Sequence, residues 1–167
     1  MKRTLNRFSR IALCAAAICL CSLLRIPAPV PFTLTLFGVY LALFFLGGKY
    51  GTLAVVLYLA LGLVGLPVFS GGASVFALLS PTGGYLVGLP LLALVFWLGE
   101  RTHPVLFCAL GTLGCYLVGA LWYCLYSGTG LLFSLWVGVA PFVLFDALKL
   151  ALACLAAARL KHRLPES

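Results

Sequence analysis

Apolar residues along this chain come in long unbroken runs, and polar punctuation separates them. Residues 11–24 carry no charge, nor do residues 26–48, 50–99 or 104–145. Within the runs apolar and polar positions do not alternate, so the strands of a transmembrane barrel are not indicated. A helical crossing of a bilayer needs about 20 apolar residues. The run 50–99 has room for two crossings and a loop, as does 104–145 when continued to about Ala158. The punctuation then predicts six helices: 7–25, 32–48, 51–66, 84–100, 104–126 and 134–158. The loops fall at Pro27–Pro31, at Gly47-Gly48-Lys49, over Gly65–Gly84 and at Ser127-Gly128-Thr129-Gly130. A basic head before an apolar stretch also describes a secretory signal. Here Arg25, Pro27 and Pro29 stand where a small-residue cleavage site belongs, so a first helix is expected instead.

Composition supports that architecture. Hydrophobic residues make up 64% of the 167 and charged ones 8%, with a mean hydropathy of +1.20. A soluble domain carries about a quarter charged residues. This chain cannot build a surface facing water, which excludes a soluble enzyme, a disordered chain and a coiled coil. The expected fold is an all-α integral membrane protein, a compact single-domain bundle of six transmembrane helices over residues 1–167, in the cytoplasmic membrane and surrounded by lipid. The net charge of +8 changes the picture through its placement. Lys2, Arg3, Arg7, Arg10, Lys49, Arg101, Arg159, Lys161 and Arg163 fall on one side if both termini are cytoplasmic, the arrangement of the positive-inside rule. Arg25 then lies outside and Lys149 within a helix. No basic face interleaved with aromatics exists, so nucleic acid is not an expected partner.

Few residues carry chemistry. Asp146, the sole aspartate, lies three residues before Lys149, so both share one helical face. Ionisable groups at membrane depth are costly and usually mark a site. The pair suits either of two roles: an ion pair that fixes helix packing, or a polar floor for an uncharged polar group such as a cyclic urea or for one end of a zwitterion. The loop from Gly65 to Tyr85 has paired glycines at Gly71-Gly72 and Gly83-Gly84, two prolines, and Phe69 and Tyr85 as possible aromatic walls. It is expected to fold back as a lid. Upstream, Pro27, Pro29 and Pro31 force an extended segment, after which Thr33 and Thr35 open a helix with free hydroxyls. Arg25 either draws in an anion or marks the interface. In the first helix, Ala12 and Ala16 form a small-xxx-small pair that permits close approach of another helix.

Absences narrow the function. Gly48-Lys49 is followed by Tyr50 and position 43 is Leu, so no phosphate-binding P-loop is present. No serine–histidine–acid set and no second acid near Asp146 support intramembrane catalysis or a metal, and the seven cysteines contain no CxxC pair. The two halves show no matching repeat. Neither an enzyme nor a cofactor is expected.

Taken together, the strings Pro31-Phe32-Thr33-Leu34 with Gly38, Gly47-x-x-x-Gly51, Gly65-Leu66-Pro67-Val68-Phe69-Ser70-Gly71-Gly72, Pro81-Thr82-Gly83-Gly84-Tyr85-Leu86 and Asp146-x-x-Lys149 resemble the BioY family, in order from residue 26 to about 158. These are the biotin-specific substrate-binding (S) subunits of energy-coupling factor transporters. The resemblance implies a six-helix bundle that binds biotin near its outer face, with Asp146 and Lys149 meeting the ureido end and the 65–85 loop covering it. The small residues Ala12 and Ala16 would dock a membrane coupling subunit that works with ATPase subunits, although some family members act without a dedicated module. The ligand-binding set then reads Asp146, Lys149, Tyr85, Gly72, Phe69, Thr33, Thr35, Ser74, Thr82 and Arg25. Two departures stand out: Thr35 replaces a frequent glutamine, and residues 73–79 hold fewer glycines. The expected function is biotin uptake. An S subunit for another vitamin, a structural membrane protein and an intramembrane lipid-modifying enzyme are the alternatives.

Overall fold

A computed structural model describes residues 2–26, 32–69 and 75–163. The chain is helical almost throughout. Helix α1 (Lys2–Leu23) leads into a short hairpin, β1 (Arg25–Ile26) and β2 (Phe32–Thr33), paired antiparallel with Arg25 opposite Thr33 and Ile26 opposite Phe32. Then come α2 (Thr35–Leu46), α3 (Gly48–Leu63), the short α4 (Val75–Leu78), α5 (Gly83–Gly99), α6 (Pro104–Ser127), α7 (Leu131–Gly138) and α8 (Ala140–Arg163).

Local chemistry sets the boundaries. A single residue, Gly47, separates α2 from α3. It has φ of +79°, a conformation that side chains with a Cβ resist, and it lets the chain reverse without a loop. The Glu100 carboxylate, at the end of α5, accepts the N–H of Gly48 and so caps α3 from another helix. Pro104 opens α6, where its missing N–H does no harm, and Gly128 closes it in the left-handed conformation.

Three features depart from the sequence reading: Arg25 and residues 32–33, expected at helix ends, form the hairpin strands, the expected 65–84 loop holds the helical turn α4, and the last helix is broken. Residues 134–158 were expected to be one helix, but the chain breaks at Val139, with φ −128° and ψ −52°. Pro141 supplies the reason. Its ring crowds the carbonyl four residues earlier and it has no N–H to continue the ladder; the first turn of α8, where it sits, asks for neither.

The core is small side chains and tyrosines. Val39, Tyr40, Leu43, Ala54, Val55, Tyr58, Leu92, Ala93 and Cys108 are buried. The interior hydroxyls are paired: Ser22 with Tyr58 at 2.8 Å, and Tyr40 with Thr112 at 2.8 Å. Outward the order inverts. Leu98, Leu125 and Leu132 are more than four-fifths exposed, and leucines project all round the bundle. Apolar surface on that scale needs lipid rather than water around it. By length and composition α6 and α8 can each cross a bilayer unaided, while α2, α3 and α5 are apolar but shorter.

Candidate functional site

The cavity forms where the hairpin, α2, α5, α6 and the α7–α8 break converge. It is a half-open chamber, and the space within it and its mouth together is about 660 Å³.

Its floor is built on α8. Asp146 and Lys149 project from adjacent turns and are 4% and 6% exposed. Lys149 Nζ donates to Asp146 Oδ1 at 2.6 Å and to the Thr33 carbonyl at 2.8 Å. It also sits 4.0 Å from the centre of the Phe32 ring. The ammonium thus has two oxygens and a π face for its three protons. Phe32 is in turn seated against Phe142, at 6.0 Å, and edge-on to Phe145, at 5.2 Å. The other carboxylate oxygen, Oδ2, accepts the Tyr116 hydroxyl. A buried carboxylate and a buried ammonium are tolerable only when paired and hydrogen-bonded. Here both conditions are met, with formal charge cancelling across the pair.

The walls follow from the same convergence. Thr35 Oγ1 donates to Thr33 Oγ1 at 3.0 Å at the opening of α2. On α5, Tyr85 lays its ring beside Gly119 of α6, where an added Cβ would come within 2.3 Å of a ring carbon. The Tyr85 hydroxyl donates to the Gly138 carbonyl at 2.9 Å, a carbonyl left available because α7 ends there. Cys115 donates its thiol to the Tyr85 carbonyl at 3.4 Å. Leu36, Leu86, Leu89 and Phe142 complete an apolar lining. The chamber can orient a neutral polar group at the Asp146–Lys149 end, since a carboxylate has about four acceptor positions and the internal contacts take two.

The model of the BioY family matches residues 1–166. The chain belongs to the BioY family. The biotin transporter BioY of Thermotoga maritima is 44% identical over 140 residues, covering 80% of this chain and 82% of that protein. The probable biotin transporter BioY of Pyrococcus horikoshii is 40% identical over 134 residues, covering 80% and 82%. The crystal structure of the S-component for biotin from an ECF-type ABC transporter aligns with a TM-score of 0.87 at 29% identity, covering 96% of this chain and 93% of that one.

In this BioY chain, Asp146, Lys149, Thr33, Thr35, Thr82 and Tyr85 all line the one cavity, although more than a hundred residues separate the first of them from the last. Phe69 does not line it. Its buried ring stands edge-on to Tyr58 at 5.4 Å and lies against Gly62, where no side chain competes for the space. Arg25 also lies outside the cavity, exposed on β1 across from Thr33. Gly72 and Ser74 fall outside the described residues. Ala12 and Ala16 are exposed on α1, whereas Ile11, Ala15 and Ile18 face the core. Sequence reasoning missed Tyr116, Cys115, Gly138, Phe142 and the seat that Phe32 gives Lys149. The signal for Tyr116 was its phenol near the middle of α6, away from Tyr123 and Tyr126 at the helix end, since a buried tyrosine hydroxyl requires a partner.

Proposed function

We propose that the chain takes up biotin as the membrane S component of an energy-coupling factor transporter. Such a component is a transport protein and not an enzyme in itself. BioY membership supports this, as do relatives named as biotin transporters and a structural neighbour described as an S-component for biotin. The observation that carries the site assignment is the buried Asp146–Lys149 pair held by Tyr116 and Thr33 at one end of the cavity. A ureido ring is neutral and has two N–H donors beside one carbonyl acceptor. Asp146 would take the N–H groups, Lys149 would give the carbonyl the proton that otherwise faces the Phe32 ring, and Tyr85, Leu86, Leu89 and Phe142 would surround the ring system and chain. Thr33, Thr35 and Thr82 offer further hydroxyls.

In this reading the bundle crosses the cell membrane several times, with both termini cytoplasmic and the cavity toward the outer face. The exposed Ala12–Ala16 strip of α1 is the surface for a coupling subunit, which in turn works with ATPase subunits.

Equilibrium binding of labelled biotin to the detergent-purified full chain tests the assignment. Asp146→Asn keeps the side chain's shape and removes its charge. It should weaken binding by about 100-fold, as expected for a desolvated charge that loses its partner. Wild-type affinity in folded Asp146→Asn would remove Asp146 from the site, and failure of the wild-type chain to bind biotin while binding another vitamin would overturn the substrate.

A further inference from the structure

A second charged arrangement lies at the opposite end of the bundle from the cavity. Helix α2 starts at the cavity and its twelve residues rise about 18 Å away from it. There Arg7 of α1 meets Lys49 and Tyr50 in the first turn of α3. The Arg7 guanidinium donates to the Tyr50 hydroxyl at 3.3 Å, and its Cζ is 5.7 Å from the ring centre. Lys49 Nζ is 6.0 Å from the same centre. Tyr50 is half-buried against the core, so the ring is a fixed seat, while both cations are exposed.

No described acid pairs with either cation. The chain has three acidic residues. Asp146 is engaged by Lys149 and Tyr116. Glu100 turns its carboxylate to the Gly48 N–H, beside Lys49 in the chain, and leaves one negative charge near two positive ones without an ion pair to either. The third, Glu166, lies outside the described residues. Among the described residues, neither Arg7 nor Lys49 has a carboxylate partner. Two cations drawn to one ring repel each other, and an anion between them would relieve that repulsion.

We propose that Arg7, Lys49 and Tyr50 form a binding site for a phosphate group, supplied by the headgroup of an anionic lipid. Arginine matches phosphate oxygens with a planar fork, and lysine adds a compact charge. The Tyr50 hydroxyl accepts from Arg7 and keeps its own proton to give to a phosphate oxygen. Tyrosine and basic residues belong at headgroup depth, and basic groups there attract anionic lipid. None of the three residues lines the cavity, so this site does not depend on the biotin assignment.

The thermal-unfolding midpoint of the full chain in neutral detergent tests the proposal. Dioleoylphosphatidylglycerol should raise the midpoint at a concentration where dioleoylphosphatidylcholine does not, because a ligand that binds the folded state stabilises it. Arg7→Gln/Lys49→Gln should lose most of that rise. Arg159→Gln/Lys161→Gln, which removes the same charge from the end of α8, should keep it. Should the first pair fail to fold, Lys49→Gln alone should lose roughly half, one of two charges being gone. An equal rise with sodium phosphate would uphold the anion site and assign it to the free ion. The proposal falls if neither phosphate source raises the midpoint, if the rise survives in Arg7→Gln/Lys49→Gln, or if Arg159→Gln/Lys161→Gln abolishes it equally.

Discussion

The α5–α6 seam and the gap between α6 and α8 share one helix and are built on opposite principles. Along the seam, side chains are withdrawn. An added Cβ on Gly111 would meet the Leu92 carbonyl at 2.8 Å, and one on Gly119 would overlap the Tyr85 ring. Lipid supplies no hydrophobic drive between helices, so their association relies on such close contact. Between α6 and α8 the backbones approach at few points, and polar side chains span the gap instead: Tyr116 reaches from α6 to Asp146 on α8, which in turn holds Lys149. The cavity opens in that gap. The groups proposed to meet biotin are therefore also the groups that bridge the two helices.

The largest predicted effect comes from breaking the charged side of that comparison. Asp146→Leu leaves the Lys149 ammonium buried without its counter-ion, which should cost about 3–5 kcal/mol. Unfolding in mixed micelles by SDS titration measures this. Adding Lys149→Met to Asp146→Leu should restore most of the stability, because a dry apolar pair often replaces a buried ion pair without loss. Biotin binding should be absent from both variants. A double variant as unstable as the single one would show that more than an uncompensated charge was at stake. One that still bound biotin would separate the pair from the ligand.

The seam gives the next effect. Gly119→Leu forces new carbons against the Tyr85 ring and should destabilise by about 1–3 kcal/mol through overpacking. Tyr85 must shift, and its hydroxyl then loses the Gly138 carbonyl, so biotin binding should weaken as well. Gly114→Ala on the same helix is the control. Its new methyl meets the Leu91 side chain at an ordinary 3.4 Å, and both stability and binding should stay close to wild type. If both substitutions behave alike, the seam is looser than its contacts indicate.

What was legible in the sequence follows the same division. Asp146 and Lys149 stood out because almost nothing else in the apolar runs carries a charge, and cost alone marks such groups. Thr35 was legible as a hydroxyl at a helix opening, and the all-helical class as unbroken apolar runs; Thr33, expected at the same opening, sits on β2 with its hydroxyl accepting from Thr35. Tyr116 was not, because its meaning comes from a carboxylate 30 residues away on another helix, and no spacing rule encodes that approach. Phe69 and Tyr85 looked alike as aromatics flanking a glycine-rich loop. Each ring lies on a bare glycine, Phe69 on Gly62 of α3 and Tyr85 on Gly119 of α6, and only the second glycine sits on a helix that lines the cavity, which the sequence does not mark. The break at Val139 was written in Pro141, but a long apolar run outweighed one proline.

The smallest effects compare two buried tyrosines, one at the cavity and one away from it. Thr112 gives its proton to the Cys108 carbonyl at 2.8 Å, so in the Tyr40–Thr112 contact the phenol must be the donor. Tyr40→Phe removes that donor and leaves Thr112 its other bond, a loss of about 1 kcal/mol, the usual net value for a neutral pair. Tyr40 lies outside the cavity lining, so biotin affinity should not move. Tyr116→Phe removes the same atom, but its acceptor is ionised, and such bonds are worth about 1.5–3 kcal/mol. It also frees the Asp146 carboxylate to rotate, so biotin affinity should fall together with stability. Equal losses of affinity in the two variants would mean that the cavity senses the bundle's general firmness. A loss confined to Tyr116→Phe would identify this phenol as the group that aims the carboxylate.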